Sequence, residues 1–202
     1  MPGIPANILA GPARIFIGTF GTAVAPVTGT PPTLFQHTAG VPSGLQSGFT
    51  EVGYTTGPVT FTYKATKVEL MPEQSLAAVD VFVSEEMAQI VFTAMERTYI
   101  ALHTAFDNVG TQSDTTGDFY YAGNGAAIIT PLFNTVFMST PHRDNLLKFS
   151  WACVYKAYSV DGVKLPFEKK KETTYQVTLK AVADVVTPRT VGDQLWQMKH
   201  EK

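Results

Sequence analysis

The chain has 202 residues, of which 16% are charged, with a formal net charge of -2 and a single cysteine, Cys153. A usual charged fraction is about 25%, so the surface is expected to be covered by something other than water, such as copies of the same chain. The negative balance excludes a nucleic-acid binder held by phosphate contacts, which needs a basic face, and one cysteine excludes an internal disulfide framework or a cysteine-built metal site.

Such a length suits one domain with a full core, or one domain with long arms. No apolar run approaches the ~18 residues of a membrane span, and the first residues, MPGIPANILAGPAR, lack a charged region ahead of an apolar one. A soluble protein made and used without export is expected. Residues 1–12 are small and apolar with two prolines, the composition of an extended N-terminal arm. Residues 14–18 (RIFIG) form a short strand. Residues 19–47 follow, rich in Gly, Pro, Thr and Ala and nearly uncharged; so long a loop inside a compact domain is commonly functional, and its lack of charge suits docking.

After a tight turn at 53–59 (GYTTGPV) comes the stretch that organises the chain, residues 59–106. Val59, Phe61 and Tyr63 fall on one face of a strand, Thr60, Thr62 and Lys64 on the other, and Val68 and Leu70 extend the pattern. A break at MPEQS (71–75) contains Pro72, which cannot donate to a ladder; Val79, Val81 and Val83 then alternate with Asp80, Phe82 and Ser84 in a second strand. Residues 85–93 fit either a helix capped at Ser84 or a third strand through IVFT, and the β-formers Ile90, Val91, Phe92 and Thr93 favour the strand. From Ala94 the period becomes 3.6, with Ala94, Thr98, Ala101, Leu102, Ala105 and Phe106 in one stripe, which predicts a helix of about 13 residues, about 20 Å long.

Beyond the helix, residues 108–117 form a polar loop, and Asn124-Gly125 suits a hairpin turn before an apolar run, 127–138, interrupted by Pro131. Residues 139–145 form a loop and 149–160 a long strand, which Asp161-Gly162 turns into VKLPFEKK as a second hairpin. The last alternating strand covers 175–183, with Val177, Leu179 and Ala181 on one face. The tail, 185–202, has one large anchor, Trp196, and resembles a C-terminal arm. About seven or eight strands and one helix make a mainly β (α+β) chain, an antiparallel sandwich or open barrel with a flanking helix. Residues 1–202 are treated as one domain.

No catalytic constellation emerges. His37, His103, His142 and His200 are scattered, and none has another histidine or a carboxylate at metal-ligand spacing. Glu73, Glu85 and Glu86 are ordinary surface or helix-start acids unless a cleft gathers them. Gly53 to Gly57 and Gly123 to Gly125 lack the lysine and helix start of a phosphate loop. Lys169, Lys170 and Lys171, between Glu168 and Glu172, suit a solvated hairpin end, and Cys153 suits a buried small hydrophobe. No cofactor, metal or enzymatic activity is expected.

The segment VELMPEQSLAAVDVFVSEEMAQIVFTAMERTYIALHTAF resembles the major tail tube proteins of long-tailed, siphovirus-type bacteriophages. It is preceded by GYTTGPVTFTY and followed by TPLFNTVFMST and VKLPFEKKKETTYQVTLKAVAD, so the resemblance runs from Gly53 to Asp184. It implies a virion structural protein, made in the host cytoplasm, whose β-sandwich subunits form hexameric rings stacked into a tube. DNA would pass through without specific binding, and the tape measure, tail terminator and distal tail proteins would be partners. On that basis Glu69, Glu73, Asp80, Glu85 and Glu86 are candidates to face the lumen, Val59, Phe61 and Tyr63 to make inter-subunit strand contacts, and Trp196 to anchor the C-terminal arm. The acids suit the wet face of exterior strands equally well. A tail terminator or the inner-tube protein of a contractile system is the structural alternative, and a ligand-binding β-barrel or enzyme is the third, needing convergent polar groups on an inner face.

Overall fold

The computed structural model describes residues 13–21, 36–38, 41–43, 49–71, 80–95, 99–106, 110–113, 116–121, 132–141, 149–166, 174–186 and 193–200. Its elements, in chain order, are β1 (Arg14–Thr19), β2 (Gln36–Thr38), β3 (Val41–Ser43), β4 (Phe49–Glu51), β5 (Thr55–Leu70), β6 (Asp80–Ala94), α1 (Tyr99–Phe106), β7 (Gly110–Ser113), β8 (Asp118–Tyr121), β9 (Asn134–Pro141), β10 (Phe149–Ser159), β11 (Tyr175–Ala181) and β12 (Trp196–His200). Eight strands form one open sheet in the order β4-β1-β9-β10-β11-β6-β5, with β12 added beside β10. Every pairing in it is antiparallel. Two further two-stranded sheets pair β2 with β3 and β7 with β8. The fold is therefore mainly β and antiparallel with one flanking helix, as the alternating segments predict.

The period of two sorts the core into two clusters, one on each face of the sheet. The larger contains Ile15, Ile17, Val136 and Val154 with Ile90, Phe92, Val177 and Leu179, and receives Ala101, Leu102 and Ala105 from α1. The smaller, on the opposite face, contains Phe16, Phe137, Trp151, Cys153 and Tyr155, with Phe49 packed against it. Register explains both sets: Phe16 lies opposite Phe137 and Ile17 opposite Val136, while Phe137 lies opposite Cys153 and Val136 opposite Val154. A bulge between Val154 and Ala157 shifts the alternation of β10, so these two residues, three apart, enter the same cluster. Cys153 is thus a core residue of β10, fully buried.

At the β1–β4 edge, the Arg14 guanidinium donates from Nε to Glu51 Oε1 at 2.6 Å and from its terminal nitrogen to Oε2. This fork raises the arginine pKa above its ordinary value, the hydrogen bond to Glu51 outweighing desolvation. Both side chains are about one-third exposed, which limits such a pair to about 1 kcal/mol or less.

Several expectations are corrected. The two strands predicted across residues 79–93 are one strand of 15 residues, because its register on β5 continues through a bulge in which Thr66 opposes Glu85 and Lys67 opposes Val83. Ser84, the extra residue, bonds Thr66 O at 3.2 Å instead of capping a helix. Ala94 ends β6, opposite Tyr175 and Thr55, so α1 has 8 residues, fewer than the helical stripe suggested. GYTTGPV is part of β5 from Thr55 on; Gly57, at φ 72°, supplies the left-handed residue of an irregularity between Thr56 and Thr60. The long loop 19–47 contains the β2–β3 hairpin, and 108–117 contains β7 and the turn toward β8. Gly162, at φ 62°, turns the chain as expected, yet residues 163–166 form no strand. The partner of the end of β10 is β11 instead, with Val160 N donating to Thr178 O at 3.0 Å. Residues 139–141, expected in a loop, extend β9. The tail beyond 193 is not a free arm in its described part: it pairs along β10 from Val154 to Ser150. The N-terminal arm 1–12, the Asn124-Gly125 turn, Pro131, His142 and the run 169–171 lie outside the described residues.

Replacing Phe92, which is 1% exposed, with alanine should cost about 3–5 kcal/mol in urea unfolding. Phe82→Ala, ten residues earlier on the same strand but half exposed, should stay within about 0.5 kcal/mol for the isolated chain.

Candidate self-association surface

β5 and β6 are the longest strands, and only their inner halves belong to the core. Opposite pairs share a face, so Phe61 with Ile90 and Tyr63 with Ala88 point to the larger cluster. There Val59 and Phe61 pack, partly buried, against the core. β11 pairs with β6 only as far as Lys180 opposite Gln89, whereas the β5–β6 ladder continues to Leu70 opposite Asp80. Seven residues of β5 beyond Tyr63 therefore form a two-stranded arm projecting about 23 Å at 3.3 Å per residue.

Apolar side chains cover both faces of this arm. Val68 and Leu70 lie with Phe82 on one face, and Val81 and Val83 on the other; each of these is between 41% and 55% exposed. Alternation alone predicts one dry and one wet side, but no described sheet or helix lies against the arm, and both sides are exposed. Among the described strands, β5 has no partner along its outer edge, β6 none on its second edge from Asp80 to Ala88, and β12 none on the edge away from β10. Long unpaired edges bearing apolar side chains are templates for pairing with another chain.

A cleft of about 770 Å³ lies between the arm and the C-terminal strand. Where β11 leaves β10, β12 takes its place: Val182 N donates to Lys156 O at 2.8 Å and Tyr155 N to Leu195 O at 3.2 Å. The edge of β6 past Gln89 thus faces β12 without a ladder between them. Tyr63, Glu85, Glu86, Lys180, Asp193 and Trp196 are among its lining residues. Trp196 sets its ring 5.1 Å from that of Phe61 and 5.3 Å from that of Tyr63. Tyr63 donates its hydroxyl to Glu86 Oε1 at 2.8 Å, and the lining residue Asp193 accepts at Oδ1 from the Tyr155 hydroxyl at 3.0 Å.

These positions revise the residue assignments. Glu69, Asp80, Glu85 and Glu86 are exposed on the arm, and Glu73 lies outside the described residues. Val59 and Phe61 turn their side chains into their own core, so the contact that β5 offers a neighbour is its backbone edge rather than these side chains. Tyr63, 42% exposed, sits on the cleft rim. Trp196 anchors β12 within its own chain. Lys180 and Asp193 were not singled out from the sequence, because only the line-up of β11 with β12 brings them beside Glu85. Among the described residues no group of three or more His, Cys, Asp or Glu is placed to hold a metal ion, and no helix is long and apolar enough to cross a membrane.

No protein-family model matches the chain, and no curated protein matches it significantly.

The bond to Glu86 raises the Tyr63 pKa above the ordinary tyrosine value. The neutral phenol is the favoured form, so the stabilisation is complete below the ordinary tyrosine pKa and is lost as pH rises through the higher folded one. Ultraviolet titration of Tyr63→Phe should show the loss of a late-titrating phenol, while Glu86→Gln should move that titration earlier.

Proposed function

We infer that this chain is a structural subunit that joins copies of itself into closed rings, stacked as a tube that conducts DNA, the role of the major tail tube proteins it resembles. The observation that carries this is the arm: a strand pair projecting past its core with apolar residues on both faces and, among the described strands, unpaired edges on both sides. Such a surface is costly for a monomer and suited to burial between neighbours. A contact between different patches of adjacent copies is heterologous, and a rotation that closes makes a ring. The low charged fraction supports the same reading.

The net negative balance suits a wall that DNA slides past, since cationic walls would hold phosphate by counterion release. Glu69 and Asp80, exposed near the arm tip, are proposed to face this channel. A tape measure protein inside the tube, with a tail terminator and a distal tail protein at its ends, would be the remaining partners, and the virion tail the site of action.

Electron microscopy of the purified chain, concentrated at several salt strengths, is expected to show hollow tubes or stacked rings of uniform width. Dispersed particles at every concentration, with a single sedimenting monomer, would remove the self-assembly reading. Glu69→Lys with Asp80→Lys is expected to leave assembly intact and slow DNA passage; unchanged ejection kinetics would take these two acids out of the channel.

A further inference from the structure

The cleft between β6 and β12 has a charge pattern that the opposite edge of the arm complements. Three carboxylates, Glu85, Glu86 and Asp193, line it with one ammonium group, Lys180. The outer edge strand, β5, carries Lys64 and Lys67, both exposed. The β6 side of the arm is therefore acidic and recessed, while the β5 side is open and carries two lysines, with Glu69 nearer the tip.

Resting on the self-assembly reading above, we propose that the cleft receives the β5 edge of a second copy, with Lys64 and Lys67 of one copy paired to Glu85 and Glu86 of the next. The register within one copy defines the level at which a second copy would dock. Thr66 pairs with Glu85 and Ala65 with Glu86, so alternation puts Lys64 on the face of Glu85, and Lys67 on the face of Glu86. When a neighbour's β5 lies along the free edge of β6 at the level its own β5 occupies, Lys64 falls diagonal to Glu85 and Lys67 diagonal to Glu86. Diagonal neighbours about 7–8 Å apart are within reach of long side chains. Both edges are unpaired among the described strands, so main-chain hydrogen bonds can form along the same line. Because β5 and β6 are antiparallel within one copy, repeating a rotation about an axis along the strands makes each new pair antiparallel as well.

Two consequences follow from charge alone. The contact has polarity, so copies add head to tail and not face to face, and like-charged edges repel wrong registers. Glu85 and Glu86 also become contact residues, which leaves Glu69 and Asp80, of the four acids described on the arm, available to a channel.

The test is a charge exchange. One variant combines K64E with K67E, and the other E85K with E86K; circular dichroism checks that each remains folded. Each alone is expected to raise the concentration needed for assembly by more than about tenfold, as like charges are brought together. An equimolar mixture is expected to recover assembly, with the two variants alternating along the ring, because each supplies the edge the other's cleft requires. Wild-type tubes with both variants assembling as wild type would overturn the docking assignment, as would a mixture that fails to recover. Either result leaves the self-assembly reading standing. A wild-type chain that never assembles removes both.

Discussion

Antiparallel pairing between β5 and β6 is the constraint on which the rest of this structure depends. Its register fixes which residues of β6 turn inward, and Ala88, Ile90, Phe92 and Ala94 thereby join Val177 and Leu179 in the main cluster. The same ladder, carried past the point where β11 stops, makes an arm that has hydrogen bonds but no core. The strand pair is thus half a piece of a domain and half an exposed surface, and the change falls between Ala88 and Glu86.

Magnitudes show what that exposed half can do. Completing the burial of the half-exposed Val68, Leu70, Val81, Phe82 and Val83 would yield about 5 kcal/mol per copy, at 1.5–3 kcal/mol for a fully buried side chain. Association costs at least about 4 kcal/mol in lost freedom. The arm's apolar residues alone would therefore give a weak pair. Strand-edge hydrogen bonds, opposed charges and closure of a ring would add to it, which favours assembly as a cooperative event over accumulation of dimers.

The polar groups of the cleft are held in place by neighbouring side chains. Tyr63 bonds Glu86, and Tyr155 bonds Asp193 and Gln197; these arrangements orient acids along a rim. Trp196 packs on Phe61 and Tyr63 and ties the C-terminal strand to the base of the arm, so the shape of the cleft depends on the tail as well as on the hairpin. Residues more than 130 apart in the chain meet there.

Local pattern by itself determined the mainly β class, the paths of β1, β10 and β11, the inward set Val177, Leu179 and Ala181, and the apolar stripe of α1, because side-chain periodicity follows directly from backbone geometry. It also determined that the chain is poor in charge. Only the tertiary structure decided that residues 80–94 are a single strand, since the bulge at Ser84 is fixed by its partner on β5. The same holds for β12, whose place depends on a gap left by β11 along β10. The exposure of Val81, Phe82 and Val83 was likewise illegible: alternation says which residues share a face, whereas burial depends on what lies against that face, and against the outer half of this arm the chain places no other described strand or helix.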